Sequence, residues 1–272
     1  MKSLPSVHFN LPGAEGGFHP NAVGGGVAIL LPLCFVLLLP YFIRKKASFR
    51  IFLSGWWSIY FISLFLLMAF VLILTQSRSS FAGMFFVAWL LIFVGLRRKK
   101  IAVISITAVM LIALISLFFL AGSKKLPYTD LESRNKLIGR VTTFWAPAVK
   151  VIKEKPVFGM GMNQARTIPL VGEKQGHFHN LFLHTAAELG IPALIALISL
   201  LFGAAAMCIK VWKSTVPDWT KTAVLGLGCG QMALFVFGFL DVIPLGSKVG
   251  IFFWVSLALI AALYKQKKLK AA

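Results

Sequence analysis

The chain has 272 residues, of which 58% are hydrophobic and 13% charged, and 28 Lys and Arg against 8 Asp and Glu give it a formal net charge of +20. Soluble domains carry roughly a quarter of their residues as charged side chains, so this composition excludes an ordinary soluble globule and points into a bilayer. The basic excess does not describe a nucleic-acid surface either, because Lys and Arg come as short clusters between apolar runs, as in the cytoplasmic loops of membrane proteins.

Residues 1–21 lack a charged start followed by an apolar core, so no cleavable signal peptide is visible and insertion must rest on the spans themselves. Apolar runs long enough to cross about 30 Å of hydrocarbon as helix fall at 22–43, 51–74, 81–96, 101–121, 180–209, 220–240 and 249–264. The expected fold is therefore all-α, a polytopic transmembrane helical bundle of about seven spans. It forms a single transmembrane domain over residues 1–272. The runs 81–96 and 249–264 are short, and are expected to recruit flanking polar residues or to sit in a thin, protein-buried region. Cys34, Cys208 and Cys229 all lie inside apolar runs without CxxC spacing, and read as small buried hydrophobes.

Orientation follows from where Lys and Arg collect in short loops. Arg44, Lys45, Lys46 and Arg50 form one cluster, and Arg97, Arg98, Lys99 and Lys100 the next. Lys210, Lys213 and Lys221 follow, then Lys265, Lys267, Lys268 and Lys270. These clusters occupy alternate connections, whereas the short intervening ones hold only Arg78 and Lys248. The C-terminus is thus expected in the cytoplasm, with the N-terminus, the 75–80 turn, the 122–178 loop and the 241–248 turn outside. An outer N-terminus without a signal sequence leads to a further expectation, that an odd number of spans is missing upstream.

The outer loop 122–178 exceeds the length of ordinary connections, and such loops are commonly functional. Within it Val141, Phe144, Trp145, Ala148, Val149 and Ile152 follow helical spacing, which predicts an amphipathic helix. With Trp145 on the apolar face and Lys150, Lys153 and Lys155 nearby, that helix is expected to lie along the membrane interface. Pro147 should kink it or fix its start. Residues 155–161 should break it, since Gly159 and Gly161 are free to adopt backbone angles closed to other residues.

Basic residues outnumber acidic ones in this loop, among them Arg134, Arg140 and Arg166. Two readings compete: contact with anionic headgroups, or a site for a phosphate-bearing substrate. Arg78 opens the 81–96 span from outside, where helix N–H groups and a guanidinium together can cradle phosphate oxygens. The plainer alternative is an Arg snorkelling to the headgroups. His177-Phe178-His179-Asn180 opens the fifth span, with His184 and Glu188 following. Histidine exchanges protons near neutral pH, so His179 and His177 are candidate acid–base groups. Asn180 could orient a sugar hydroxyl or cap the next helix. As a zinc site the histidines are weak, for the spacing is not HExxH and no cysteine or nearby acidic set completes it. Glu188 and Asp241 are the only acidic residues in or beside the expected spans. Glu188 precedes Gly190-Ile191-Pro192, an expected break in the helix, and so reads as a packing or loop-pinning group. The two are too few and too close to span ends for a proton relay, which argues against a coupled transporter.

In this order, His19-Pro20-Asn21 with Gly24-Gly25, Thr75-Gln76-Ser77-Arg78-Ser79, Gly139-Arg140-Val141 followed by Trp145, Lys155-Pro156 followed by Gly159-Met160-Gly161, and His179-Asn180 followed by Glu188-Leu189-Gly190-Ile191 resemble the O-antigen ligase and O-antigen polymerase superfamily of bacterial envelope glycosyltransferases. The resemblance covers about residues 18–264. It implies a C-terminal portion with a large periplasmic loop, from which upstream spans are absent. It also implies a metal-independent, inverting glycosyltransferase of the inner membrane that needs no cofactor. The donor would be an undecaprenyl-diphosphate-linked glycan, with lipid A core as acceptor for a ligase or another repeat unit for a polymerase. By motif, the family's essential residues fall on Arg78, Arg140 and His179. Asn180, His177, Arg134 and Arg166 are secondary substrate contacts, the last two without a motif behind them. The rival from another class is a non-enzymatic transporter of an anionic envelope lipid.

Overall fold

The computed structural model describes residues 20–43, 56–96, 141–168, 176–243, 245–247 and 249–269, and every regular element among them is helical. The helices are α1 (Pro20–Ile43), α2 (Trp56–Thr75), α3 (Arg78–Leu96), α4 (Ala146–Glu154), α5 (Leu181–Leu189), α6 (Ile191–Trp212), α7 (Asp218–Leu240) and α8 (Ile251–Leu269). A π turn, Val141–Trp145, leads into α4, and a 3₁₀ turn, Gln164–Thr167, follows it. The span expected at 101–121, with His19, Arg134 and Arg140, lies outside the described residues.

Among the described residues three stretches are long and apolar enough to cross a membrane: Pro20–Leu38, Ile191–Trp212 and Asp218–Leu240. Ile59–Thr75, Arg78–Leu91 and Ile251–Gln266 are shorter apolar helices. The expected 180–209 span is corrected. Gly190 stands at a positive φ of 88° and Pro192 follows at the next helix start, so the run divides into the short α5 and the long α6. Proline there costs no intrahelical hydrogen bond, and glycine takes the angle that a side chain would resist.

α1 packs chiefly on α7, with α2 and α3 alongside it. Close approach is set by glycine on one stripe of α7: a Cβ on Gly226 would come within 2.6 Å of the Leu33 backbone, and one on Gly230 would collide with the Ile29 carbonyl. Small residues four apart let two helix backbones meet, the usual contact where lipid supplies no hydrophobic drive. The main core joins Ile29, Leu181, Leu197, Leu234, Phe237, Ile243 and Phe253. By contrast Leu66, Phe70, Ile73, Ile195 and Phe202 point outward and exposed, as lipid-facing side chains do.

The loop helix departs from expectation on one face. Phe144 and Ala148 are buried against Ala165, Phe178 and Ala187, so the apolar stripe of α4 and its π turn packs largely on protein rather than on a bilayer. Val141 and Val149, at its margin, stay exposed. Pro147 fixes the start of α4; the helix ends at Glu154, where Lys155 leaves helical angles ahead of Pro156, and Gly159 at φ 65° and Gly161 at φ 104° turn the chain beyond it.

Candidate active site

The turn 176–180 carries the two histidines, and local chemistry fixes its shape. The Asn180 side chain caps α5, accepting the N–H groups of Phe182 and Leu183 at 3.0 Å each, while its Nδ2 donates to the Phe239 carbonyl at 3.2 Å. Both ends of that carboxamide are used inside the protein, so the cap is the role its geometry displays. The residue before the cap, His179, sits at φ 50°, a left-handed conformation costly to a side chain unless the surroundings enforce it.

The enforcement comes from α7 and from ring contacts. His179 is buried, and its Nδ1 lies 3.1 Å from Asp241 Oδ1, just past the end of α7. The rings of Phe144 and His177 pack edge-on against the His179 imidazole, with centroids 4.6 and 4.4 Å away. Asp241 is itself held: the Val242 N–H donates to Oδ1 at 2.9 Å, and Asn21 Nδ2 at the start of α1 donates to Oδ2 at 2.6 Å. Burial by itself would raise the Asp241 pKa, but the hydrogen bond and charge of His179, the Val242 N–H and the nearby His177 together hold it below the usual carboxylate value. An ionised carboxylate only accepts, so Nδ1 of His179 carries the proton and Nε2 is left as the basic nitrogen. A buried Asp–His pair with this tautomer has the arrangement by which a general base is held by an orienting partner.

The sequence reading placed no site role on Asp241. Its partner lies 62 residues away in the chain, and no local motif announces it. The usable signal was its position, because an acid at a span boundary is by default a functional candidate. The trio also revises the metal reading. His177, His179 and Asp241 bring their ligand-type atoms within 4.8 Å of one another, so an acidic partner absent from the local sequence is present in space. These are the described residues that could hold a metal.

Arg78 is the first residue of α3 and is exposed. Its turn sits against α1: a Cβ on Gly24 would meet Ser80 Oγ at 2.6 Å and Thr75 Oγ1 at 2.9 Å. Gly24 lies one helical turn from Asn21, so the Arg78 turn and the Asn21–Asp241–His179 chain share one end of the bundle. Arg166 is exposed on the 3₁₀ turn, and its stem covers Gly176, next to His177. The structure thus gathers Arg78, Arg166, His177, His179 and Asn180 at one end.

Glu188 pins the loop. Its carboxylate accepts the N–H groups of Asn163 at 2.8 Å and Ala165 at 3.0 Å, with His184 Nε2 at 3.5 Å. Behind it, Met160 and Gly161 donate to the carbonyls of Ala187 and Glu188 at 2.9 Å. Burial lowers the His184 pKa, and the Glu188 charge opposes that only in part.

A family model described as O-Antigen ligase matches residues 63–198, half of the chain, and so spans Arg78, Arg140 and His179 but neither Asn21 nor Asp241. A comparison with curated proteins finds no match.

Proposed function

The chain belongs to the O-antigen ligase family, and from that premise we propose that it is a membrane glycosyltransferase transferring a glycan from a polyprenyl diphosphate to an acceptor hydroxyl. The donor is an undecaprenyl-diphosphate-linked, O-antigen-like glycan. The acceptor is lipid A core, and the reaction proceeds on the periplasmic face of the inner membrane. The bundle crosses that membrane about seven times, with the 122–178 loop outside.

The observation that carries this reading is the buried Asp241–His179 pair with Nε2 left basic. His179 Nε2 takes the proton of the acceptor hydroxyl as its oxygen attacks the anomeric carbon. The bond from that carbon to the diphosphate oxygen breaks, and its electron pair leaves with the polyprenyl diphosphate. One displacement inverts the anomeric centre. Arg78 and Arg140 neutralise the diphosphate as its charge grows, and Arg134 and Arg166 are further phosphate contacts. The guanidinium groups and the imidazole need no metal or other cofactor for this chemistry.

The test is transfer from a purified polyprenyl-diphosphate glycan to lipid A core by the reconstituted protein. Arg78→Ala, Arg140→Ala and His179→Ala should each abolish product, with the His179 variant still binding donor. Unchanged product in all three would remove the mechanism. Repeat units joined to each other rather than to lipid A core would make the protein a polymerase, and donor movement that survives His179→Ala would favour a carrier.

A further inference from the structure

The reaction makes no use of the turn between α4 and the 3₁₀ segment, which holds Val157, Phe158 and Met162 outward, 54%, 86% and 69% exposed. Apolar side chains of this size gain by leaving water, so their shared exposure points to something that covers them. The turn is nevertheless firmly built. Gly159 N donates to the Lys155 carbonyl at 3.0 Å, Met160 and Gly161 are bonded to the end of α5, and the Glu188 carboxylate holds the residues that follow. Gly159 is required there, since a Cβ would collide with the Glu188 backbone.

The depth of this knuckle is set by α6. Ile191 N, at the first residue of that helix, donates to the Pro156 carbonyl at 2.7 Å, and a Cβ on Gly190 would strike the Val157 carbonyl. α6 is long and apolar enough to cross a membrane, so Val157 and Phe158 stand at the level where it enters the hydrocarbon. Leu189 and Ile191, beside them, are also exposed, and exposed Lys150, Lys153 and Lys155 precede the tip. An apolar tip rimmed by lysines at the mouth of a span matches the headgroup layer of an anionic bilayer in depth and in charge.

We propose that Val157, Phe158 and Met162 insert into the headgroup and upper acyl region of the leaflet at which α6 begins, fastening the loop that packs against His179 to the membrane surface. The lipid contact belongs to this rigid tip, whereas most of the apolar stripe of α4 is spent on protein. The inference rests on membrane crossing by α6 and not on glycan transfer, and its readout requires no catalysis.

The test uses the full chain with Cys34, Cys208 and Cys229 replaced by Ala, carrying Phe158→Cys or Met162→Cys labelled with an environment-sensitive fluorophore. It is reconstituted in phosphatidylethanolamine and phosphatidylglycerol vesicles. Emission should shift to the blue, and lipids bearing a nitroxide near the headgroup should quench it several-fold more than aqueous iodide does. Stronger quenching by iodide would place the tip in water and overturn the proposal. Protection from both quenchers would also overturn it, because another protein surface or a second copy would then cover the tip.

Discussion

At the scale of single residues, the tautomer of His179 decides what the site can do. Asp241→Asn preserves shape but offers an amide that can present either its N–H₂ or its oxygen to Nδ1, so the ring is free to place its proton on Nε2. Transfer should fall by roughly 10²–10⁴-fold, the range of a lost general base, while donor binding holds. Asn21→Ala removes one hydrogen bond from the far oxygen of Asp241, and should cost nearer tenfold, or about 1–1.5 kcal/mol. Steady-state transfer assays on the two variants separate these effects. Metal removal is a further check, because His177, His179 and Asp241 could also act as ligands. Chelation with EDTA is expected to leave the rate unchanged, whereas loss of activity restored by Zn²⁺ would make the trio a metal centre. The places of His179 and Arg78 at the openings of helices were legible in the sequence, because short polar motifs interrupt apolar runs there. Asp241 was not, since its meaning depends on a partner brought by tertiary packing from 62 residues away.

At the scale of elements, the loop helix and α5 act as one packed unit whose keystone is Glu188. Glu188→Gln leaves one acceptor where two N–H groups converge and turns an N–H₂ toward the other. Loss of a charge-assisted bond of about 1.5–3 kcal/mol should speed exchange at the Asn163 and Ala165 amides by roughly one to two orders of magnitude, as hydrogen exchange would measure. The same unit should loosen in acid. Burial holds the folded His184 pKa below its ordinary 6.5, so the unfolded chain takes up the proton first as pH falls. Stability from this group is therefore complete above 6.5 and is lost as pH drops below it toward the folded value. Exchange protection over residues 160–165, corrected for intrinsic rate, should weaken as the pH falls below about 6.5, and His184→Gln should flatten the dependence. Element boundaries were only partly readable. Length and hydropathy allow one span over 180–209, the Gly190-Ile191-Pro192 sequence marks a break within it, and the backbone angle at Gly190 shows that the chain divides there into α5 and α6. The stripe on α4 was legible as amphipathic, but periodicity reports that a face is covered and not by what.

For the whole molecule, connectivity sorts the ends of the helices. The starts of α1, α6 and α8, the end of α7 and the α2–α3 turn all stand at the end that carries His179, as the Asn21–Asp241 bond, the Gly24 contacts and the Ile191–Pro156 bond require. Lys210, Lys213, Lys221 and Lys265 accordingly fall at the opposite end, where α6 and α8 finish and α7 begins. Of the four basic clusters read from the sequence, those at 210–221 and from Lys265 thus stand at the end away from the Asp–His pair, while those at 44–50 and 97–100 lie outside the described residues. Short loops rich in Lys and Arg are retained in the cytoplasm, so the His179 end should face outward. Two positions test this directly in a chain whose native cysteines are replaced by Ala. Gly246, exposed with nothing within 4 Å of an added Cβ, lies between α7 and α8, and Thr215, also exposed, lies between α6 and α7. Gly246→Cys should react with a membrane-impermeant maleimide in right-side-out vesicles, and Thr215→Cys only in inverted ones. The reversed pattern would put the Asp–His pair in the cytoplasm, where a glycan already delivered across the membrane could not reach it.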